Sequence, residues 1–210
     1  EANDRNFAVI DSKGRLRSFG INQNSISPAG NFKDVVASRN AFTAIRSDGT
    51  LVTFGEGARE SAPTGSDFVK VKASWGAFAA LRHDGSIVSW NEPNSPRFWN
   101  DAPKETGHID IFSNEGMFAA IKGNGTISTW GITHSNLTQA PSGAGFTKIV
   151  GSRDTLAALH SDGSISTWGN AHNTGINSPK EKNFIDLCFN SALAAETSCP
   201  SAERRELHAD

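Results

Sequence analysis

A ten-residue phrase that occurs five times in the 210-residue chain constrains the fold more than any other feature. Its copies are "DSKGRLRSFG" (11–20), "RSDGTLVTFG" (46–55), "RHDGSIVSWN" (82–91), "KGNGTISTWG" (122–131) and "HSDGSISTWG" (160–169). The turn glycines of these copies are spaced by 35, 36, 40 and 38 residues, at Gly14, Gly49, Gly85, Gly125 and Gly163. A period of this length is typical of solenoids and propellers.

Each repeat has the alternating apolar pattern of β-strands. In "FAALRHDGSIVSW" (78–90), two such runs flank an Asp-Gly pair, which predicts a tight two-residue hairpin turn. A further apolar run precedes every hairpin except the first, and it predicts a third strand. These runs are "FKDVVAS" (32–38), "FVKVKAS" (68–74), "HIDIFSN" (108–114), "FTKIVGS" (146–152) and "FIDLCFN" (184–190). A short fourth strand is expected near the proline that follows each hairpin, because proline suits a sheet edge.

Sheets this small bury both faces only by packing against one another, and a ring of them leaves no open end. The sequence therefore predicts an all-β protein, a β-propeller of about five blades of 35–40 residues. The predicted domain covers residues 1–195, and residues 196–210 form a C-terminal tail. The first hairpin lacks a preceding strand, and "FIDLCF" (184–189) lacks a complete hairpin. We expect these two ends to pair as a clasp; an arc of a seven-bladed ring is the alternative.

The repeats resemble a known family. Segments such as "ASRNAFTAIRSDGTLVTFG" (37–55) and "ASWGAFAALRHDGSIVSWN" (73–91) are similar to the repeat of the regulator-of-chromosome-condensation family of propellers. The resemblance covers residue 6 to about residue 195. Secreted bacterial propellers that inhibit β-lactamases are similar in length per blade. The resemblance implies a ring-shaped scaffold that binds a partner. The glycine that often precedes the variable dipeptide in this family is serine here, at Ser38, Ser74 and Ser152.

Between the first strand and the hairpin of each repeat, two positions vary while their neighbours stay small or apolar. Aligned loops at one end of a propeller would bring these positions into a circle, which indicates a recognition surface. Tryptophan and arginine are enriched among the residues that dominate binding energy, so Trp75 is the expected anchor. The predicted partner-binding residues are Arg39, Asn40, Trp75, Glu115, Arg153, Asp154 and Asn190. Packing of Trp75 on the neighbouring blade and solvation of both arginines remain alternatives.

Two further features lie outside this circle. The longest connector, "NEPNSPRFWNDAPKETG" (91–107), carries Phe98 and Trp99, which predict either cover for the sheet edge or a secondary contact patch. Cys188 and Cys199 are the only cysteines. They form either a disulfide, which would imply an oxidising compartment, or one buried and one tail thiol.

Composition and motifs exclude several functions. A net charge of −2 gives no attractive field for nucleic acid, and no apolar run is long enough to span a membrane. The six histidines lack metal-ligand spacing, and the chain has neither a nucleophile elbow nor a phosphate-binding loop, so no metal, cofactor or catalytic residue is predicted. The N-terminal "EANDRNF" lacks the pattern of a signal peptide, so we expect any such leader to be missing from this chain.

The sequence therefore predicts a non-catalytic protein-binding module that uses variable loops on one face. It is expected to be a monomer, secreted or periplasmic, and to act as an inhibitor or a recognition protein with a protein partner. A carbohydrate-binding propeller is the alternative. That function would require an aromatic residue in each repeat, whereas the loop column has an aromatic only at Trp75.

Overall fold

The structure is a computed structural model that describes residues 1–20, 28–55, 62–92, 102–131, 139–169 and 178–187. These residues contain fourteen β-strands and no helix. The strands are β1 (Asn6–Ile10), β2 (Leu16–Gly20), β3 (Phe32–Ala37), β4 (Ala41–Arg46), β5 (Leu51–Gly55), β6 (Phe68–Ala73), β7 (Ala77–Arg82), β8 (Ile87–Asn91), β9 (His108–Ser113), β10 (Met117–Lys122), β11 (Ile127–Gly131), β12 (Phe146–Gly151), β13 (Thr155–His160) and β14 (Ile165–Gly169).

The strands form five antiparallel sheets, which confirms the predicted all-β repeat architecture. Sheet 1 is the hairpin β1–β2. Sheets 2 to 5 each have three strands, β3–β5, β6–β8, β9–β11 and β12–β14, with the middle strand paired to both others. The first strand of each three-stranded sheet carries a bulge near its start, so the pairing shifts there by one residue. Fourth strands beside the prolines are not formed among the residues that the structure describes.

The hairpin turns are one residue longer than the sequence predicted. In sheet 2, Arg46 N donates to Thr50 O at 2.8 Å, and Gly49 N donates to Arg46 O at 2.9 Å. These bonds enclose a three-residue loop in which Gly49 has a φ of 81°. Three-residue loops of this kind place a left-handed residue last, which glycine adopts without strain. Asp48 Oδ1 accepts bonds from the backbone and hydroxyl of Thr50, and these hold the pKa of Asp48 below its ordinary value.

The core lies between the sheets. Each sheet from 2 to 5 presents a cross-strand pair of large side chains to the sheet before it. The pair packs against small and aliphatic residues of that sheet. Between sheets 3 and 4, Phe118 and Trp130 stack with ring centroids 5.5 Å apart and pack against Ala77 and Ala79. The other pairs are Phe42 with Phe54, Phe78 with Trp90, and Leu156 with Trp168. Alanines at these positions therefore allow neighbouring sheets to approach closely.

A backbone hydrogen bond repeats at every junction between sheets. The carbonyl of each turn glycine accepts from the first residue of the next repeat, as in Phe32 N to Gly14 O at 2.7 Å and Phe146 N to Gly125 O at 3.1 Å. The turn residue must therefore be glycine for two reasons: the hairpin loop requires a positive φ, and the next repeat lies too close to leave room for a side chain. At Gly49, an added Cβ would lie 2.3 Å from the Ser66 carbonyl oxygen of the following repeat.

The two ends of the described chain make contacts that differ from those of the predicted clasp. Residues 1–3 run back along the free edge of β1, where Ala8 N donates to Glu1 O at 2.9 Å. Residues 184–187 form no strand, although Phe184 N donates to Gly163 O at 3.1 Å as a first strand would. Within the described ranges, then, residues 184–187 do not pair with β1, and residues 1–3 bond its edge instead. Residues 188–189 and the predicted tail, 196–210, lie outside the described residues.

Sheet 1 carries the same kind of large cross-strand pair as the other sheets, but no described sheet packs against that pair. Phe7 and Phe19 stack with centroids 5.4 Å apart and are 50% and 54% exposed, whereas Phe42 is 1% exposed. We expect Phe42→Ala to lower the free energy of unfolding by about 3 to 5 kcal/mol, because it leaves a cavity between sheets. Phe7→Ala should cost about 1 kcal/mol, because half of its surface is already in water.

Chemical denaturation of the two variants measures this difference. Equal losses would contradict the account, since they would mean that the Phe7 face is covered in solution by another part of the molecule or by a partner.

His108 occupies the position that phenylalanine takes in the other first strands and is 3% exposed. Its Nδ1 lies 3.0 Å from Gly85 O and its Nε2 lies 3.2 Å from Ser128 Oγ. Burial is the largest influence on its pKa and lowers it from about 6.5; nearby Lys122 lowers it further, while the Gly85 bond and Glu105 oppose this. The unfolded chain therefore takes up a proton at a higher pH than the folded one does.

The free energy of unfolding should consequently fall as pH decreases below about 6.5. We expect His108→Phe to lose less stability between pH 7.5 and pH 5 than the wild-type protein, measured by urea unfolding at both values. The same loss in both proteins would show that His108 does not contribute to the pH dependence.

Candidate functional site

Four tight turns join the first strand of each three-stranded sheet to its middle strand; we call them the face loops (residues 38–41, 74–77, 114–117 and 152–155). In each, the first residue donates its backbone N–H to the carbonyl of the last, as in Ser38 N to Ala41 O at 2.9 Å. A polar side chain at the first position closes the turn further. Ser74 Oγ donates to Ala77 O at 3.3 Å, and Asn114 Oδ1 accepts from Met117 N at 2.7 Å. The two central residues of each turn therefore lie between hydrogen-bonded ends.

Backbone hydrogen bonds connect the face loops of successive sheets. Arg39 N donates to Trp75 O at 3.4 Å, Trp75 N to Glu115 O at 3.1 Å, and Glu115 N to Arg153 O at 3.3 Å. The four residues that the sequence placed in one column therefore lie side by side on one end of the stacked sheets. Their order on this surface follows the order of the sheets.

Arg39 and Trp75 form a cation–π pair at the surface. The guanidinium carbon of Arg39 lies 4.6 Å from the centroid of the Trp75 ring. Trp75 is 54% exposed, so it is not a core residue of the neighbouring sheet. Asp4 Oδ2 lies 3.5 Å from Arg39 Nε, so the guanidinium also takes part in an exposed ion pair. Cation–π contacts of this exposure contribute about 0.5 to 1 kcal/mol.

The other two loops carry an exposed ion pair. Arg153 Nε donates to Glu115 Oε2 at 3.0 Å. The Arg153 side chain remains 77% exposed, and the Glu115 side chain 48% exposed. An ion pair this accessible contributes little to stability, so its charged groups are available to a partner at low energetic cost.

The two flanking residues of the predicted site behave differently. Asn40 is tied inward, since its backbone N–H and its amide both donate to the carboxylate of Glu92, at 3.0 Å and 3.2 Å. Asp154 lies beside Arg153 in the fourth face loop, where it is half-buried. Asn40 thus contributes to the shape of its loop, and Asp154 to the charge near Arg153.

Two residues that contact the face loops, Asp4 at the surface and Glu92 buried behind it, were not predicted from the sequence. Asp4 precedes the repeats, so no repeat pattern draws attention to it. Glu92 follows the one hairpin that ends in asparagine rather than glycine, "SWNE" in place of "TWG" or "TFG". That departure from the repeat was a visible signal.

Several predicted residues lie outside the described residues: Phe98, Trp99, Cys188, Asn190 and Cys199. Among the residues that are described, no three His, Cys, Asp or Glu side chains stand close enough to hold a metal ion. The described part of the chain also has no helix of the length and apolarity needed to cross a membrane.

Comparisons with known proteins identify the fold. No family model matches the chain, and no curated protein matches its sequence. Solved structures do match. The CRINKLY WD40 ectodomain of the Arabidopsis thaliana receptor kinase ACR4 is 17% identical with a TM-score of 0.62, and the alignment covers 80% of this chain and 66% of that one. Prp20p from Saccharomyces cerevisiae is 12% identical with a TM-score of 0.58, covering 80% and 56%. Human WBSCR16 is 15% identical with a TM-score of 0.55, covering 80% and 60%.

At these identities the likeness shows the fold alone. The chain has the β-propeller architecture, with repeated small antiparallel sheets stacked side by side. It spans a little over half to about two thirds of the length of these three structures.

Proposed function

We propose that this chain is a non-catalytic protein-binding module whose contact surface is formed by the face loops. The observation that carries the proposal is the backbone-linked row of Arg39, Trp75, Glu115 and Arg153 on one end of the stack. Rigid sheets hold these loops, while the side chains at their centres differ from loop to loop. Such an arrangement gives each partner group a distinct contact at a fixed position.

The chemistry of the row supports a protein partner. Tryptophan and arginine combine a large apolar area with directional polar groups and are enriched among residues that dominate protein–protein binding. Both signs of charge are present, which suits a mixed protein surface better than a polyanion. Loops that are already hydrogen-bonded to one another also lose little conformational freedom on binding. Prp20p, which has the same fold, is described with binding properties to Gsp1p and histones, and this precedent supports the proposal.

We also propose that the repeats are of the regulator-of-chromosome-condensation type and that the protein acts outside the cytoplasm, as a secreted or periplasmic inhibitor or recognition protein of bacterial origin. The repeat phrase and its spacing support the first part. A disulfide between Cys188 and Cys199 would support the second, and titration of free thiols in the native and denatured protein detects it.

A carbohydrate ligand is the second candidate, because the exposed ring of Trp75 offers a surface on which a sugar could stack. Among the described face loops, however, the other three lack an aromatic residue at this position. A lectin with one site per repeat is therefore disfavoured.

The proposal is tested by affinity capture with immobilised wild-type protein and the variant Arg39→Ala/Trp75→Ala/Arg153→Ala. Extracts and culture media are passed over both, and retained proteins are identified by mass spectrometry. We expect a protein that the wild type retains and the variant does not. Glycan-array binding by both proteins is measured in parallel.

A matched control removes similar side chains elsewhere. Arg15, Ile109 and Lys182 are exposed to a comparable extent but lie near the hairpin turns, at the opposite end of the sheets from the face loops. The triple alanine variant at these positions should retain the same protein as the wild type. If the face-loop variant and the wild type retain the same proteins, the face loops are not the contact surface; retention of glycans alone would favour the lectin.

Once a partner is identified, Trp75→Ala should weaken binding by about 2 kcal/mol or more, which is roughly 30-fold in Kd. The expected cause is loss of a buried aromatic contact at the centre of the interface. Calorimetry measures the affinity, and thermal unfolding of the same variant shows whether the fold is intact. An unchanged Kd in a folded variant would remove Trp75 from the interface.

A further inference from the structure

Glu92 is a buried acidic residue directly behind the face loops. It follows the last strand of sheet 3 and is 6% exposed. A carboxylate taken out of water is costly unless hydrogen bonds replace its hydration. Glu92 Oε1 receives the backbone N–H of Asn40 at 3.0 Å and the hydroxyl of Ser38, and Oε2 receives the Asn40 amide at 3.2 Å.

These donors all belong to the face loop of sheet 2, so the contact crosses from one sheet to another. Ser38 and Asn40 are the residues on either side of Arg39. Binding both of them to one carboxylate restricts the backbone from which the Arg39 side chain projects.

Glu92 is also tied to the face loop of its own sheet. Its backbone N–H donates to Gly76 O at 2.9 Å, and Gly76 directly follows Trp75. One residue therefore connects the loop that carries Arg39 to the loop that carries Trp75. The cation–π distance of 4.6 Å spans these same two loops.

We propose that Glu92 is a positioning residue that holds Arg39 over the Trp75 ring and so shapes this half of the contact surface. The importance of that shape for binding rests on the proposed function, but the positioning itself is a property of the free protein. Bonds to a charged acceptor are stronger than neutral ones, which suits a group that must fix a loop.

The test uses the free protein and NMR. A guanidinium that lies over an indole ring has its Nε–H proton shifted upfield by the ring current, and Trp75→Ala identifies the Arg39 signal by abolishing that shift. We expect Glu92→Gln to lose most of the upfield shift, because an amide cannot accept from all three donors. Glu105→Gln removes the same charge near Lys122, away from the face loops, and should leave the shift unchanged.

A merely structural role predicts a different result. If the thermal midpoint of Glu92→Gln falls while the Arg39 signal keeps its upfield shift, Glu92 does not position the pair. If Glu92→Gln does not fold, Asn40→Ala provides the readout, since it removes one donor and leaves the carboxylate. A reduced shift in that variant supports the proposal, and an unchanged shift overturns it.

This experiment requires no partner. A failure of affinity capture would count against the contact surface and leave the NMR result intact. A retained ring-current shift would count against Glu92 and leave the contact surface intact.

Discussion

The structure depends on the packing of a large cross-strand pair on one sheet against small and aliphatic side chains of the sheet before it. Each sheet alone is too small to bury both faces, so the pair and the small residues complete one core only when two sheets meet. The core between sheets 4 and 5 illustrates this, with Trp168 at 1% exposure against Met117 and Ala119. Because the same contact recurs between sheets, it also sets their relative orientation.

The proposed contact surface follows from this packing. Sheets held in one orientation bring equivalent turns into line, and only then do the face loops come within hydrogen-bond distance of one another. The side chains on these loops are free to vary, since the backbone and the first residue of each turn carry the structure. Under the proposed function, stability and recognition therefore depend on different positions of the same repeat. The exposed Phe7–Phe19 pair shows the converse, a packing surface on sheet 1 without a described neighbour.

Much of this was predictable from the sequence because it is periodic. The turn glycines, the strand pattern and the column of Arg39, Trp75, Glu115 and Arg153 all follow from aligning five copies. The three-residue length of the turns was missed, since Asp-Gly is compatible with more than one hairpin loop. Glu92 and Asp4 could not be placed, because their contacts join residues far apart in the chain and no repeat position encodes them. The clasp was predicted because the first repeat lacks a strand that the C-terminal segment could supply. That reasoning does not show that residues 1–3 bond the edge of β1.

The central claim is that the face loops form one connected row fixed by the sheets beneath them, and amide hydrogen exchange tests it most directly. Trp75 and Glu115 are exposed at the side chain, but each backbone N–H donates to the next loop. We expect these two amides to exchange much more slowly than the rate expected for an unstructured chain of the same sequence. Exchange at the unstructured rate, with protected strands on either side, would show that the loops are independent and contradict the account.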